Sequence, residues 1–139
     1  MSVFDIIGPI MIGPSSSHTA GAVRSGLLAR KLLGTTPKKA EICLYGSFAK
    51  TYKGHYTDKA LIGGILGFLP DDVRLKESFD YAKRENLEVV FTFGINEYFH
   101  PNTVTIKLFG KDKKVSVTIS SIGGGQIKVI DINDIPVSF

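Results

Sequence analysis

Alternation of apolar and polar residues dominates the second half of this 139-residue chain and constrains its fold more than any other feature. Four stretches carry an apolar residue at every second position, which is the period of a strand with one buried face. The connections at residues 110–113 and 122–125 are short enough to join antiparallel neighbours directly. The alternating apolar residues are Val89, Phe91 and Phe93; Val104, Ile106 and Leu108; Val115, Val117 and Ile119; and Ile127 and Val129.

The first half of the chain has helical patterns around one further strand-like stretch, residues 40–45. Residues 19–33 are rich in helix formers, and Gly34 follows where a helix commonly ends. Residues 61–69 predict the most buried helix, and residues 76–87 predict a more polar surface helix. These elements predict an α+β domain of two layers, in which helices pack on one face of an antiparallel sheet.

Composition narrows the class of protein. The length suits one domain over residues 1–139, and the net charge of +4 comes from basic residues that are spread along the chain rather than clustered. This distribution gives no support to nucleic-acid binding. The apolar residues 6–12 are broken by Pro9 and followed by Pro14, so we expect no membrane span. A single cysteine, Cys43, excludes a disulfide framework and favours a cytoplasmic setting.

A polar segment precedes the first predicted helix, Gly13-Pro14-Ser15-Ser16-Ser17-His18-Thr19. A helix N-terminus has unpaired backbone N–H groups and a partial positive charge, which together suit a carboxylate or phosphate. Helix capping would explain one or two of these hydroxyls but not three serines followed by a histidine. Arg24 lies little more than one turn beyond His18 and could either add donors to a bound anion or be a solvated helix residue.

A second segment partly repeats this pattern. Residues 53–58 contain a glycine, then His55, then Thr57 in a capping position before the apolar helix. If both helices begin at the same edge of the sheet, His18 and His55 face one cleft. Such a cleft suits a small carboxylate, and imidazole can move protons near neutral pH. The cleft has no electrophile or nucleophile of its own.

Other chemistry fits the sequence poorly. Three histidines and one cysteine without close spacing do not form a convincing metal site. There is no Gly-x-Ser-x-Gly elbow, so a Ser-His-Asp hydrolase is disfavoured. The triglycine at residues 123–125 is better explained as a hairpin than as a phosphate loop, because no helix follows it. His100 precedes Pro101 and predicts an exposed loop position.

Several separate motifs are spread along essentially the whole chain. They are Ser2-Val3-Phe4-Asp5-Ile6-Ile7-Gly8-Pro9, Gly13-Pro14-Ser15-Ser16-Ser17-His18-Thr19-Ala20-Gly21, Tyr45-Gly46-Ser47, Gly54-His55-Tyr56-Thr57-Asp58-Lys59-Ala60 and Ser121-Ile122-Gly123-Gly124-Gly125. Together these motifs resemble one family, the beta subunits of the iron–sulfur L-serine dehydratases.

The resemblance implies the beta part of an L-serine ammonia-lyase, which converts L-serine to pyruvate and ammonia. In that family an alpha subunit carries a 4Fe-4S cluster that acts as a Lewis acid on the serine hydroxyl. This would supply the missing electrophile, since one cysteine cannot hold four irons. The resemblance also implies a fold similar to the allosteric substrate-binding domain of D-3-phosphoglycerate dehydrogenase. Many beta chains continue into an ACT domain, whereas this sequence ends at Phe139 without one. We expect either a short two-chain form that lacks the ACT domain or the front part of a longer polypeptide.

The family pattern assigns the candidate residues as follows. Ser15, Ser16, Ser17 and Thr19 would bind substrate, and His18 and His55 would be the catalytic pair, with no metal ligand in this chain. Which histidine transfers a proton and which holds the carboxylate stays open. The alternative function is a non-catalytic effector-binding and dimerisation domain for serine or another small anion. The sheet and the small-residue face of the first helix are both compatible with a homodimer.

Overall fold

The structure, a computed structural model, describes residues 16–51, 56–95, 102–133 and 135–136, and within these ranges the side chains except those of 16–18, 47, 48, 51, 135 and 136. The predicted helical turn at residues 2–7 lies outside these ranges. The helices are α1 (Ser16–Leu33), α2 (Gly46–Thr51), α3 (Thr57–Ile65) and α4 (Ser78–Arg84), with a 3₁₀ turn at Val73–Glu77. The strands are β1 (Lys39–Tyr45), β2 (Glu88–Gly94), β3 (Thr103–Phe109), β4 (Lys114–Gly123), β5 (Gln126–Ile132) and β6 (Ile135–Pro136).

One sheet contains these six strands in the order β2-β1-β3-β4-β5-β6. The two-layer α+β prediction is confirmed, but the all-antiparallel prediction is wrong at one pair, because β1 and β2 are parallel. Between these two strands the chain forms α2, α3, the 3₁₀ turn and α4. A parallel pair needs a long crossover connection of this kind, and strand periodicity does not reveal which neighbour a strand will choose.

The register of the central strands gathers the alternating apolar residues on one face. Val104 lies opposite Leu44 and Ile119, and Ile106 lies opposite Ile42 and Val117. All of these residues are fully buried. The helices α1 and α3 pack over this face, and their buried apolar residues join the same core. We call it the helix face and call the opposite side the outer face.

Helices α1 and α3 cross with their backbones in direct contact. A Cβ atom added to Gly26 would lie 2.5 Å from the carbonyl oxygen of Leu61, and one added to Gly64 would clash with the carbonyl oxygen of Val23. Only glycine permits this approach at the two positions. Helix α3 is buried over Ala60–Ile65, which confirms the prediction that it is the most buried helix. The predicted extension to residue 69 is wrong, because α3 ends at Ile65 and the side chain of Leu69 is exposed.

The boundaries of the other helices differ partly from the predictions. Helix α1 begins at Ser16 rather than Thr19, so the serines enter its first turn although they give no apolar periodicity. Gly34 ends α1 as predicted, with φ of 75° and its N–H donating to the carbonyl of Arg30 at 3.1 Å. The predicted surface helix is divided at Ser78, whose hydroxyl donates to the Leu75 carbonyl at 2.7 Å at the end of the 3₁₀ turn.

Candidate functional site

The topology places the beginnings of α1 and α3 at one edge of the sheet. Helix α1 ends at Leu33 and β1 begins at Lys39, so the chain reverses direction between them. Helix α3 follows β1 and leads, through the crossover, to a strand parallel to β1, so it also runs opposite to β1. The two helices are therefore parallel. Near their far ends, Arg30 Nη1 donates to the carbonyl of Ile65 at 2.9 Å.

Two threonine hydroxyls lie buried where these helices begin. Thr19 is 1% exposed and Thr57 is fully buried. Neither Oγ1 atom has a hydrogen-bond partner among the described residues. Leaving a buried hydroxyl unpaired costs free energy, so each of the two is a candidate donor to a ligand.

The positions of the two threonines in the sequence place both of them on the helix sides that face each other. Thr19 lies one helical turn before Val23, and Thr57 lies one turn before Leu61. The carbonyls of Val23 and Leu61 face the glycines of the opposite helix. Residues four apart lie on one helix face, so both threonines lie on the side where the helices meet. We call this contact the α1–α3 seam and its N-terminal end the mouth of the seam.

The triglycine motif meets helix α1 near the same place. Gly123, Gly124 and Gly125 have φ of 103°, 62° and 79° and join β4 to β5, so the predicted hairpin is confirmed. Arg24 is 5% exposed and donates from Nη1 to the Gly125 carbonyl. The interpretation of Arg24 as a solvated residue is therefore wrong, because its guanidinium is used to join the turn to α1.

The last residues of β4 also pack beneath α1. A Cβ atom on Gly21 would overlap the hydroxyl of Ser121, a residue that is 2% exposed. A Cβ atom on Gly125 would lie 3.1 Å from the Cβ of Ala20. Two motifs about one hundred residues apart in the sequence therefore touch at the first turns of α1.

The predicted site residues are described to different extents. The backbone of Ser16, Ser17 and His18 forms the first turn of α1, while their side chains are outside the described set. Ser15 and His55 lie outside the described residues, as does His100. Thr19 is the predicted site residue whose side chain is described. The roles assigned to the two histidines and three serines stay predictions.

The start of α3 differs from the sequence expectation. Thr57 is the first helical residue, and the capping position belongs to Tyr56, which has φ of 65° and makes no side-chain capping bond. Asp58 Oδ1 accepts from the N–H of Lys59 at 2.7 Å, so an acid of this chain already occupies part of the terminus. By contrast, α1 has no acidic residue in its first turn. The beginning of α1 is thus the better place for an anion.

Polar side chains on the outer face are organised differently. Thr103 and Ser120 share a hydrogen bond of 2.6 Å, and Thr105 and Thr118 share one of 2.8 Å. Thr105 Oγ1 also lies 3.5 Å from Tyr45 Oη. Burial raises the pKa of the Tyr45 hydroxyl above its usual value, and Cys43 and Asp131 add to the effect while the Thr105 bond opposes it.

Cys43 is half-buried on the outer face. Ile42 and Leu44 take the helix-face positions on either side, so the alternation turns Cys43 away from the core. A groove of about 490 Å³ also opens on the outer face, at the edge of the sheet away from the mouth of the seam. Its lining residues are Glu41, Lys107, Phe109, Lys114, Val115, Ser116 and Asn133.

Within the part of the chain that the structure describes, no three His, Cys, Asp or Glu side chains lie close enough to hold a metal ion. No helix of that part is long and apolar enough to cross a membrane.

Fold and site together define a two-layer α+β domain in which two parallel helices begin at one sheet edge beside a glycine turn. Residues 2–87 match the family model of the serine dehydratase beta chain, and the chain belongs to this family. It is 47% identical to the L-serine dehydratase beta chain of Peptoniphilus asaccharolyticus, over 99% of this chain and 63% of that protein. It is 48% identical to the probable L-serine dehydratase beta chain of Bacillus subtilis (strain 168), over 95% and 60%.

A longer relative matches more distantly. L-serine dehydratase 2 of Escherichia coli (strain K12) is 38% identical over 91% of this chain and 33% of its own length. The chain thus spans less than two thirds of the two beta chains and about one third of the E. coli protein.

Proposed function

We propose that this chain is the beta part of an L-serine ammonia-lyase and acts together with an alpha subunit on L-serine in the cytoplasm. Family membership and the names of the relatives support the reaction class. The observation that carries the assignment to this site is the buried, unpartnered hydroxyl of Thr19 in the first turns of α1. It belongs to the serine-rich motif, at a helix terminus that favours a carboxylate.

An iron–sulfur cluster does not fit the residues of this chain. Clusters of the 4Fe-4S type are held by several cysteine thiolates, and this sequence has one cysteine. That residue, Cys43, lies on the outer face of the sheet, away from the α1–α3 seam. We therefore assign the 4Fe-4S cluster to the alpha subunit and derive no step of this chain through it.

The work left to this chain is to bind the substrate and handle protons. The N–H groups and hydroxyls of Ser15, Ser16, Ser17 and Thr19 would hold the serine carboxylate, since α1 begins there without a competing acid. Loss of a proton from Cα and of hydroxide from Cβ gives an enamine, and hydrolysis of that species yields pyruvate and ammonia. The imidazole of His18 or His55 would serve as the base, because its pKa is near neutrality.

Kinetics of the assembled enzyme test this proposal. The chain should be produced with its alpha subunit, and pyruvate formation from L-serine measured for wild type, His18→Ala and His55→Ala. We expect each variant to lower kcat by about 100-fold or more while the two subunits still co-purify. The chain purified alone should be colourless and should not deaminate serine.

Two results would overturn the proposal. Turnover of serine by the chain alone would remove the division of labour between the subunits. Unchanged kcat in both histidine variants, together with serine binding to the isolated chain, would instead support the alternative of a non-catalytic effector and dimerisation domain.

A further inference from the structure

The hydroxyl of Thr57 lies outside the serine-rich motif, and its surroundings set it apart from other buried hydroxyls. It is fully buried, and its Oγ1 has no partner among the described residues. Several other buried hydroxyls in the described structure are paired. Ser25 donates to the Gly21 carbonyl at 2.8 Å, Ser78 donates to the Leu75 carbonyl, and Thr103 pairs with Ser120.

The position of Thr57 relates it to Thr19. Each threonine lies one turn before the point where the backbones of α1 and α3 touch. The Cα–Cβ bonds of a helix tilt toward its N-terminus, so both side chains lean toward the mouth of the seam. The mouth therefore has two hydroxyls, one from each helix, that lack a partner among the described residues, at the edge where α1 offers its N-terminal N–H groups.

A capping role does not explain Thr57. The capping position is held by Tyr56. In the first turn of α3, the N–H of Lys59 already donates to the side chain of Asp58. The negative charge of Asp58 also makes this terminus a weaker anion site than that of α1. Helix α3 can thus offer a ligand the neutral hydroxyl of Thr57, while the N-terminus of α1 attracts the negative charge of that ligand.

We propose that Thr57 is a substrate-binding residue whose hydroxyl donates to the carboxylate of the small amino acid bound at the start of α1, opposite Thr19. This inference rests on the proposed function for the identity of the ligand. An unpaired buried hydroxyl lowers the stability of the folded chain, and an apolar residue at this position would avoid that loss. A hydrogen bond from the hydroxyl to a bound ligand would offset it.

The test compares Thr57→Val, Thr57→Ser and the control Thr103→Val in the enzyme assembled with its alpha subunit. Valine keeps the shape of threonine and removes the hydroxyl. For Thr57→Val we expect KM for L-serine to rise about threefold to tenfold, the effect of one lost hydrogen bond, with a smaller change in kcat. Thr57→Ser should restore the wild-type KM.

Thermal unfolding without serine separates binding from structure. Thr57→Val should leave Tm unchanged or raise it, and the rise in Tm that serine produces in wild type should shrink. Thr103→Val should lower Tm because Ser120 loses its partner, and it should leave KM unchanged. An unchanged KM and an unchanged serine-induced shift in Thr57→Val would overturn the inference, as would a lower Tm with a normal KM.

Failure of the proposed function would look different. A wild-type assembly that binds serine, as shown by the Tm shift, but forms no pyruvate would overturn the ammonia-lyase assignment alone. The inference about Thr57 would then be decided by the shift in Thr57→Val. A wild-type assembly with neither turnover nor a serine-induced shift would overturn both.

Discussion

Hydroxyl groups are wholly or partly buried on the outer face of the sheet and at the mouth of the seam. These two regions differ in whether the hydroxyls are hydrogen-bonded to each other. On the outer face, Thr103 bonds to Ser120 and Thr105 bonds to Thr118 across adjacent strands. At the mouth of the seam, Thr19 and Thr57 are buried without a hydrogen bond to any described residue. Cross-strand hydroxyl pairs stabilise a sheet, whereas an unpaired hydroxyl destabilises a helix contact. In our proposal, the difference distinguishes polar groups that maintain the fold from polar groups that bind a ligand.

The largest effect should come from forcing the seam apart. Gly26→Val would place side-chain atoms where the Leu61 carbonyl and the Ile65 N–H now lie. We expect a loss of more than about 3 kcal/mol in the free energy of unfolding, because backbone rather than a flexible side chain must move. Urea unfolding measures this loss, and Lys31→Ala, on the exposed side of α1, is the control that should be nearly neutral. A stable Gly26→Val variant with normal serine binding would contradict the close backbone contact.

A smaller but substantial effect is expected at Arg24. Arg24→Met removes the bond to the Gly125 carbonyl and leaves a buried acceptor unpaired. The expected loss is about 2–3 kcal/mol. Hydrogen exchange should show faster exchange at the Gly125 turn.

Arg30→Met is the matched control, since Arg30 is half-buried and bonds to the Ile65 carbonyl at the other end of the seam. It should cost less and leave exchange at the glycine turn unchanged. Equal protection of the turn in both variants would show that Arg24 does not hold it.

Replacing one threonine by valine in each region shows whether the paired and unpaired hydroxyls differ in their effect on stability. Thr103→Val should cost about 1–2 kcal/mol because Ser120 is left buried and unpaired. Thr19→Val should cost nothing or stabilise the chain, since its hydroxyl bonds to none of the residues that the structure describes. Thermal unfolding without ligand measures both.

Adding Ser120→Ala to Thr103→Val should recover part of the lost stability, as expected when both partners of a bond are removed together. A cost at Thr19 equal to that at Thr103 would erase the distinction between the two regions.

The smallest effect concerns Tyr45, whose hydroxyl lies near the outer-face pairs. Burial raises its pKa in the folded chain above the value of about 10 in the unfolded chain. The folded state therefore keeps its proton where the unfolded state loses it. This contribution to stability is complete below pH 10 and is lost as the pH rises through the folded-state pKa. Above pH 10 the free energy of unfolding should therefore fall more steeply with pH for wild type than for Tyr45→Phe. The same slope in both proteins would contradict the raised pKa of Tyr45.

Much of the fold could be predicted from the sequence because strand and helix periods are local properties. The alternation in residues 104–108 and 115–119 located β3 and β4 and their helix face. Strand neighbours are not local, and the parallel pairing of β1 with β2 depends on the whole crossover between them. The early start of α1 was missed because Ser16 and Ser17 give no apolar pattern, although a helix can begin there.

The candidate site was less accessible to sequence reasoning. The serine-rich motif indicated the beginning of α1, and Thr19 lies there. Thr57 was predicted to be a helix cap because threonine is common at caps. Its spacing relative to Leu61 became informative only once the contact between α1 and α3 was known. Arg24 looked equally suited to solvent or to an anion, because its distant partner Gly125 is reached only through the hairpin.

The contact at Gly26 and Gly64 fixes how closely α1 and α3 approach each other. With no side-chain layer between the helices there, they cannot move closer together at that point. The distance between the two helix beginnings, where Thr19 and Thr57 lie, is therefore set by the angle at which the backbones cross rather than by the size of a side chain between them.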